Sequence, residues 1–242
     1  MTTQDTSPTT STAGAAPVAG AAAGGGTGAA RVRPQPRGWA LAGVGAGLAG
    51  LVSIQASTAF GANWEQTAGD AEAIVADLSG RIATQLLFHT ATMIMTVLVV
   101  VFAAGLSRRL AQQAPAGSLL PSVASGGLLL VAVAGLLGAG LDTQFLFGLG
   151  DPDLMVPESG AFYSDWVATI PWLWVGAGLS GVAVAVAALR HAAAPRWIGW
   201  VSAVLGGLTL VAGISPLQYM AGFTGPLWLL VVAIGFAVGD RR

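Results

Sequence analysis

Six apolar stretches, at residues 39–60, 85–106, 120–141, 167–189, 197–214 and 218–238, alternate with short polar breaks. A helix needs about 20 apolar residues to cross a hydrocarbon core of about 30 Å. Four stretches reach that length directly. The fifth has 18 residues, and the sixth reaches 21 by including "QYMAGF". No Asp, Glu, Lys or Arg falls inside any of the six. Only helices and closed barrels satisfy the backbone in lipid. Continuous runs, as opposed to strict alternation, select helices, so the pattern predicts an all-α membrane protein, a bundle of six transmembrane helices.

The segments between them differ. "GDAEAIVADLSGRIATQ" carries Ile74, Val75, Leu78 and Ile82 at near-helical spacing with Asp70 as its cap. That spacing predicts an amphipathic helix lying at the membrane interface and running into the second span. "GLGDPDLMVPESGAFYSDW", with its prolines and glycines, reads as an ordered or partly ordered loop. Pro171 falls in the first turns of the fourth span, where proline is tolerated. "GFTGPLW", with Gly222, Gly225 and Pro226, could unwind the end of the sixth. The pairs Gly43/Gly47, Ala177/Gly181 and Gly235/Gly239 have the four-residue spacing that lets helix backbones approach closely.

Composition agrees: 54% of residues are hydrophobic and 9% charged, against about 25% charged in soluble domains. The sequence has no cysteine, which excludes disulfides, thiolate metal sites and cysteine nucleophiles. A net charge of -1 offers no basic surface to neutralise phosphates, so no nucleic-acid partner is expected. The partner it implies is the lipid bilayer. Residues 1–36 are Thr/Ser/Pro-rich, then Ala/Gly-rich, and read as a disordered low-complexity tail that cannot bury a core. The six-helix domain is then 37–242. "RVRPQPRGWALAGVGAGLAGLVSIQASTA" also resembles a long signal peptide, but its basic flank starts late and its apolar core is long.

Charge sets the orientation. Nine arginines (31, 33, 37, 108, 109, 190, 196, 241 and 242) fall on one side, with only Asp5 and Asp240 as acids. The other side has Arg81 against nine acids. The positive-inside rule places both termini in the cytoplasm. Trp64, Trp166 and Trp172 fall near the acidic boundary, and Trp39, Trp197 and Trp200 near the basic one, as in an aromatic belt.

Candidate chemistry is concentrated in "QLLFHTATMIMT". Gln85, His89, Thr92 and Thr96 fall within about 60° of one another on a helix. Polar groups in lipid seek partners, so the stripe should face other helices or a cavity. The first span has Gln55 beside Ser53, Ser57 and Thr58, and the third has Asp142 and Gln144 at its outer end. Two readings stand. Side chains close to head groups are polar at little cost, and threonine often bonds its own helix. Alternatively, Gln55, Gln85, His89, Thr92, Asp142 and Gln144 line an outward-open pocket, with His89 at its floor and Asp142 at its rim.

Other constellations are weaker. "DPDLMVPE" offers Asp151, Asp153 and Glu158 to a hard cation, without the EF-hand pattern. His191 beside Arg190 reads as an interface residue. Nucleophile-elbow, paired-histidine zinc and phosphate-loop motifs are absent, so no cofactor or metal is expected. Two histidines on opposite faces exclude bis-histidine haem within one chain.

The last third, "WLWVGAGLSGVAVAVAALRHAAAPRWIGWVSAVLGGLTLVAG", resembles an uncharacterised group of bacterial six-helix membrane proteins with a "PRW-hydrophobic-GW" turn before the fifth helix. Here the turn is Pro195, Arg196, Trp197, Ile198, Gly199 and Trp200. The resemblance implies six helices in a bacterial plasma membrane and carries over no site residues. In the turn itself, proline breaks the helix, arginine meets lipid phosphate and tryptophan sits at the interface. The function expected is non-enzymatic: binding of a small or lipidic ligand from the outer face, or an accessory role to a membrane-protein partner. The alternatives are a small-molecule transporter and a membrane enzyme using His89 and Asp142 as acid and base.

Overall fold

The computed structural model describes residues 37–67 and 69–239; the expected tail at 1–36 and the terminal Asp240, Arg241 and Arg242 lie outside them. Every regular element among the described residues is helical. Among the described residues, six helical segments are long and apolar enough to cross a membrane, and the chain is a multi-pass membrane protein.

Helix α1 (Gly38–Phe60) is the first span, followed by the single turn α2 (Trp64–Thr67) and by α3 (Ala71–Ser79). Asp70 caps α3 by accepting from the backbone N–H groups of Glu72 and Ala73 at 3.0 and 3.1 Å. Ile74, Val75 and Leu78 are buried, so the amphipathic helix forms as expected. Helices α4 (Ile82–Ala111) and α5 (Leu120–Gly150) are the second and third spans. The fourth joins α6 (Pro157–Thr169) to α7 (Val175–His191) through a 3-10 segment, Ile170–Trp174. The fifth runs from α8 (Arg196–Val201) through a π turn (Ser202–Gly206) into α9 (Gly207–Ile214). The sixth is α10 (Ala221–Gly239).

Two expectations are corrected. The acidic loop is mostly helix, because α5 continues to Gly150 and Pro157 starts α6 at a position where proline is favoured. Only residues 151–156 connect them. Pro226 does not unwind the sixth span, which runs unbroken through it. Its glycines serve packing instead: a Cβ on Gly225 would lie 2.7 Å from the Cβ of Trp174.

Helix α1 packs between α4 and α10, α4 reaches α5, α5 reaches α7, and α7 returns to α10. The fifth span lies outside this ring, against α7 and α10. Only 28% of its apolar window is buried, against at least 44% in every other span. Burial from water does not drive helices together in lipid, so close backbone approach must do so. A Cβ on Gly47 would lie 2.7 Å from Leu230 Cα, and one on Gly181 would lie 2.6 Å from Gly206 Cα. The second contact seats the π turn, where Ser202 accepts from the buried Trp228 indole at 3.0 Å. About two turns beyond Ser202, Thr209 donates to its own Leu205 carbonyl and accepts from Thr224 at 2.6 Å. Trp39, placed at the boundary by its sequence position, turns inward. Its ring lies 5.5 Å from Phe102 and 5.4 Å from Phe236.

Both ends keep their charge signs. Among the described residues all nine acids belong to the end that carries α3 and α6, and Arg37, Arg108, Arg109, Arg190 and Arg196 to the other. At the acidic end α3 packs on α6, and α6 touches both α1 and α5. This lid lies over the acidic end of the first three spans.

Candidate functional site beneath the acidic-end lid

The polar stripe of α4 turns inward and meets α5 and α6. Gln85 and Thr92 are fully buried and Thr96 nearly so. Asp142, on α5, is also fully buried. The phenolic hydroxyl of Tyr163, on α6, donates to Asp142 Oδ1 at 2.7 Å. Gln85 Nε2 in turn donates to the Tyr163 oxygen at 3.0 Å. His89 Nδ1 lies 3.4 Å from Asp142 Oδ2. Both carboxyl oxygens thus meet a partner, which a carboxyl group away from water requires.

Aromatic packing fixes the tyrosine. Its ring stacks on Phe145 with centroids 4.2 Å apart and meets Phe60 edge-on at 5.9 Å. These contacts aim the hydroxyl at Asp142 and leave its direction little freedom. Deeper in the bundle, Thr92 donates to the Phe88 carbonyl at 2.7 Å. Having one proton, Thr92 must accept the 2.7 Å hydrogen bond it shares with Ser53. Gln85 Oε1 and Thr96 Oγ1 are buried with no hydrogen-bond partner.

The sequence-derived pocket is therefore redrawn. Gln85, His89, Thr92 and Asp142 come together, but Gln55 and Gln144 do not. Both glutamines are exposed on the flanks of their helices, and Gln55 lines a mainly aliphatic groove of about 430 Å³ between α1 and α4. In the expected order, His89 was the floor and Asp142 the rim. The structure inverts it: Asp142 is sealed, whereas the His89 side chain is 28% exposed. Ser57 and Thr58 bond carbonyls of their own helix, as residues of this type do near a helix end. Asp151, Asp153 and Glu158 do not form a metal-holding cluster, and no such group of three occurs among the described residues.

Tyr163 and Ser53 were not selected from the sequence. Tyr163 lay in the stretch read as loop, although Gly160, Tyr163, Val167 and Ile170, all buried, have helical spacing that would have placed it inward. Ser53 was noticed only as a neighbour of Gln55, and the helix turns the two residues to different faces.

Arg81, one turn before Gln85, serves the lid. It binds Asp77 through both carboxylate oxygens at 2.7 and 2.9 Å and donates to the Gly61 carbonyl at 2.7 Å. It fastens the lid to the end of α1.

The chain matches no protein-family model, no curated protein and no solved structure. Function rests on this geometry.

His89 emerges at a defined place. Its neighbours one turn before and after, Leu86 and Met93, are exposed and half-buried, and Thr90 beside it is exposed. These are the outward-facing positions of an apolar span. The partly exposed imidazole thus lies among the outward-facing positions of α4. In the neutral ring, an Nδ1–H directed at Asp142 leaves Nε2 as a lone-pair acceptor. Nε2 makes no hydrogen bond to any described residue.

Proposed function

We propose that this protein binds a lipid-soluble alcohol or phenol at His89, reached laterally from the outer leaflet of a bacterial plasma membrane. The arginine-rich end, with both termini, faces the cytoplasm. The observation that carries the reading is the position of the imidazole, with Nδ1 on a sealed carboxyl and the side chain partly exposed among outward-facing positions of the span. Asp142 orients the ring and selects its tautomer, as carboxylate partners of histidine do. Tyr163 and Gln85 hold Asp142 in place. A water-soluble ligand would need an opening through the lid, and the buried positions of Asp142, Gln85 and Tyr163 beneath it argue against one.

The test is photolabelling of the full chain in lipid nanodiscs with a diazirine-bearing long-chain alcohol. Labelling should map to the segment around residues 86–93 and fall several-fold in His89→Leu, while the alkane analogue without the hydroxyl labels both proteins alike. Equal labelling of wild type and His89→Leu by the alcohol would reject the proposal.

A further inference from the structure

At the opposite end of the bundle lies a cavity of about 530 Å³. That is within the range of about 300–1,000 Å³ typical of small-ligand sites. Three parts of the chain enclose it: the end of α4, the turn from Ala192 to Trp197, and the last turns of α10. Its charged side chains among the described residues are Arg109 and Arg196, and no described acid lines it.

The arginines are not merely scattered along a basic boundary. Arg108 and Arg109 are consecutive, yet only Arg109 reaches this cavity. Arg108 lies on a separate groove between α4 and α5, and Arg190 on a third. Helical geometry separates consecutive side chains by about 100°, so the turn of α4 assigns one guanidinium inward and one outward. Arg109 is accordingly half-buried and Arg108 exposed. Arg196 comes from a different element, set by Pro195, whose extended backbone (φ -52°, ψ 140°) precedes the first turn of α8. Trp197 completes the wall. It lies against α10 because Gly235 has no side chain there: a Cβ would come within 2.6 Å of the indole.

Two arginines from separate helices, Arg109 half-buried and Arg196 exposed, line one cavity at the basic end, and their shared chemistry is anion binding. Arginine's planar fork binds phosphate oxygens in pairs, and basic pockets between helices at the cytoplasmic boundary suit anionic head groups. A guanidinium carries five donors, so Arg109 can serve an anion alongside its other contacts. We propose that the cavity between Arg109, Arg196 and Trp197 holds a phosphate-bearing anion, either an anionic lipid head group or free phosphate. This site is independent of His89.

Native mass spectrometry of the full chain released from nanodiscs of mixed phosphatidylglycerol and phosphatidylcholine reads the site directly. Wild type should retain phosphatidylglycerol in preference to phosphatidylcholine. Removing one charge-assisted contact should weaken that retention about tenfold, so Arg109→Gln and Arg196→Gln should both show it. Arg108→Gln and Arg190→Gln, at the same boundary but off the cavity, should change it less than about twofold if the effect is local. Added inorganic phosphate separates the sources: displacement of the lipid identifies the phosphate group alone as the ligand, and persistence identifies the whole head group. Equal losses in all four variants would reduce the cavity to part of a diffuse basic belt and overturn the proposal, as would no preference for phosphatidylglycerol together with no stabilisation by inorganic phosphate. Should either cavity variant fail to fold, a photoreactive phosphatidylglycerol on the wild-type chain decides. Adducts concentrated at residues 192–197 support the site, and adducts spread over the whole arginine-rich end refute it.

Discussion

Tyr163 and Asp142 share a 2.7 Å hydrogen bond that ties the fourth span to the third inside the bundle. Neither side chain is accessible, whereas His89, the partner of Asp142, is partly exposed. Tyr163 also relays Gln85 to the same carboxyl, which couples three helices through one hydroxyl.

Removing that hydroxyl in Tyr163→Phe preserves the stack on Phe145 but leaves Asp142 Oδ1 and Gln85 Nε2 short of a partner. Polar contacts between membrane helices average only about 0.6 kcal/mol. Orphaning a buried acceptor costs more, about 1–3 kcal/mol. We expect the larger cost here, because Gln85 and Asp142 are both fully buried. Thermal unfolding in detergent checks it, and a melting temperature identical to wild type would show that the network relaxes without loss.

Asp142→Asn keeps the volume and an acceptor for Tyr163 while weakening the acceptor at His89. Stability should fall by no more than about 1 kcal/mol if Asn repartners. Alcohol photolabelling at His89 should fall as it does in His89→Leu. Retained labelling would mean that the imidazole needs no carboxyl to orient it.

Arg81→Gln should loosen the lid without unfolding the bundle. The Asp77 pair is partly exposed, with 31% and 25% of the two side chains accessible, and such pairs contribute at most about 1 kcal/mol. Loss of the bond to the Gly61 carbonyl adds to this. Hydrogen exchange should therefore rise across residues 57–80 and stay unchanged in α7 and α10. Uniform acceleration would show that Arg81 supports the whole fold.

Topology follows from charge alone. Reporters fused after Gly20, Gln112 and Arg242 should report the cytoplasm, and those after Asp70 and Met155 the outside. A C-terminal reporter on the outside would contradict the six-span arrangement.

Apolar run length made all six spans legible, because lipid demands continuous apolar helix and tolerates little else. Asp70 and its downstream aliphatic residues revealed α3 for the same reason that they form it. The acidic loop misled, since prolines and glycines there read as breaks, whereas Pro157 begins a helix and Gly160 lets α6 lie close to Val75. That error hid Tyr163 and with it the centre of the site. The α4 stripe was visible from spacing, but spacing within one helix does not say which residue of the next helix it will meet. Gln55 and Gln144 were grouped with it by depth alone. Depth in the bilayer is shared by every face of a helix, and only packing distinguishes the faces.

The π turn at Ser202–Gly206 has its own consequence for the fifth span. By closing a wider ring than the α-helix it absorbs an extra residue, which shifts the angular phase of everything after it. Ser202, before the shift, reaches the Trp228 indole, and Thr209, after it, reaches Thr224. Winding the same residues as a regular α-helix would rotate Thr209 by about 100° relative to Ser202, out of register with Thr224. This most peripheral span thus holds two contacts in phase through one wide turn, and will tolerate deletion of one residue within that turn better than insertion of one between Gly206 and Thr209.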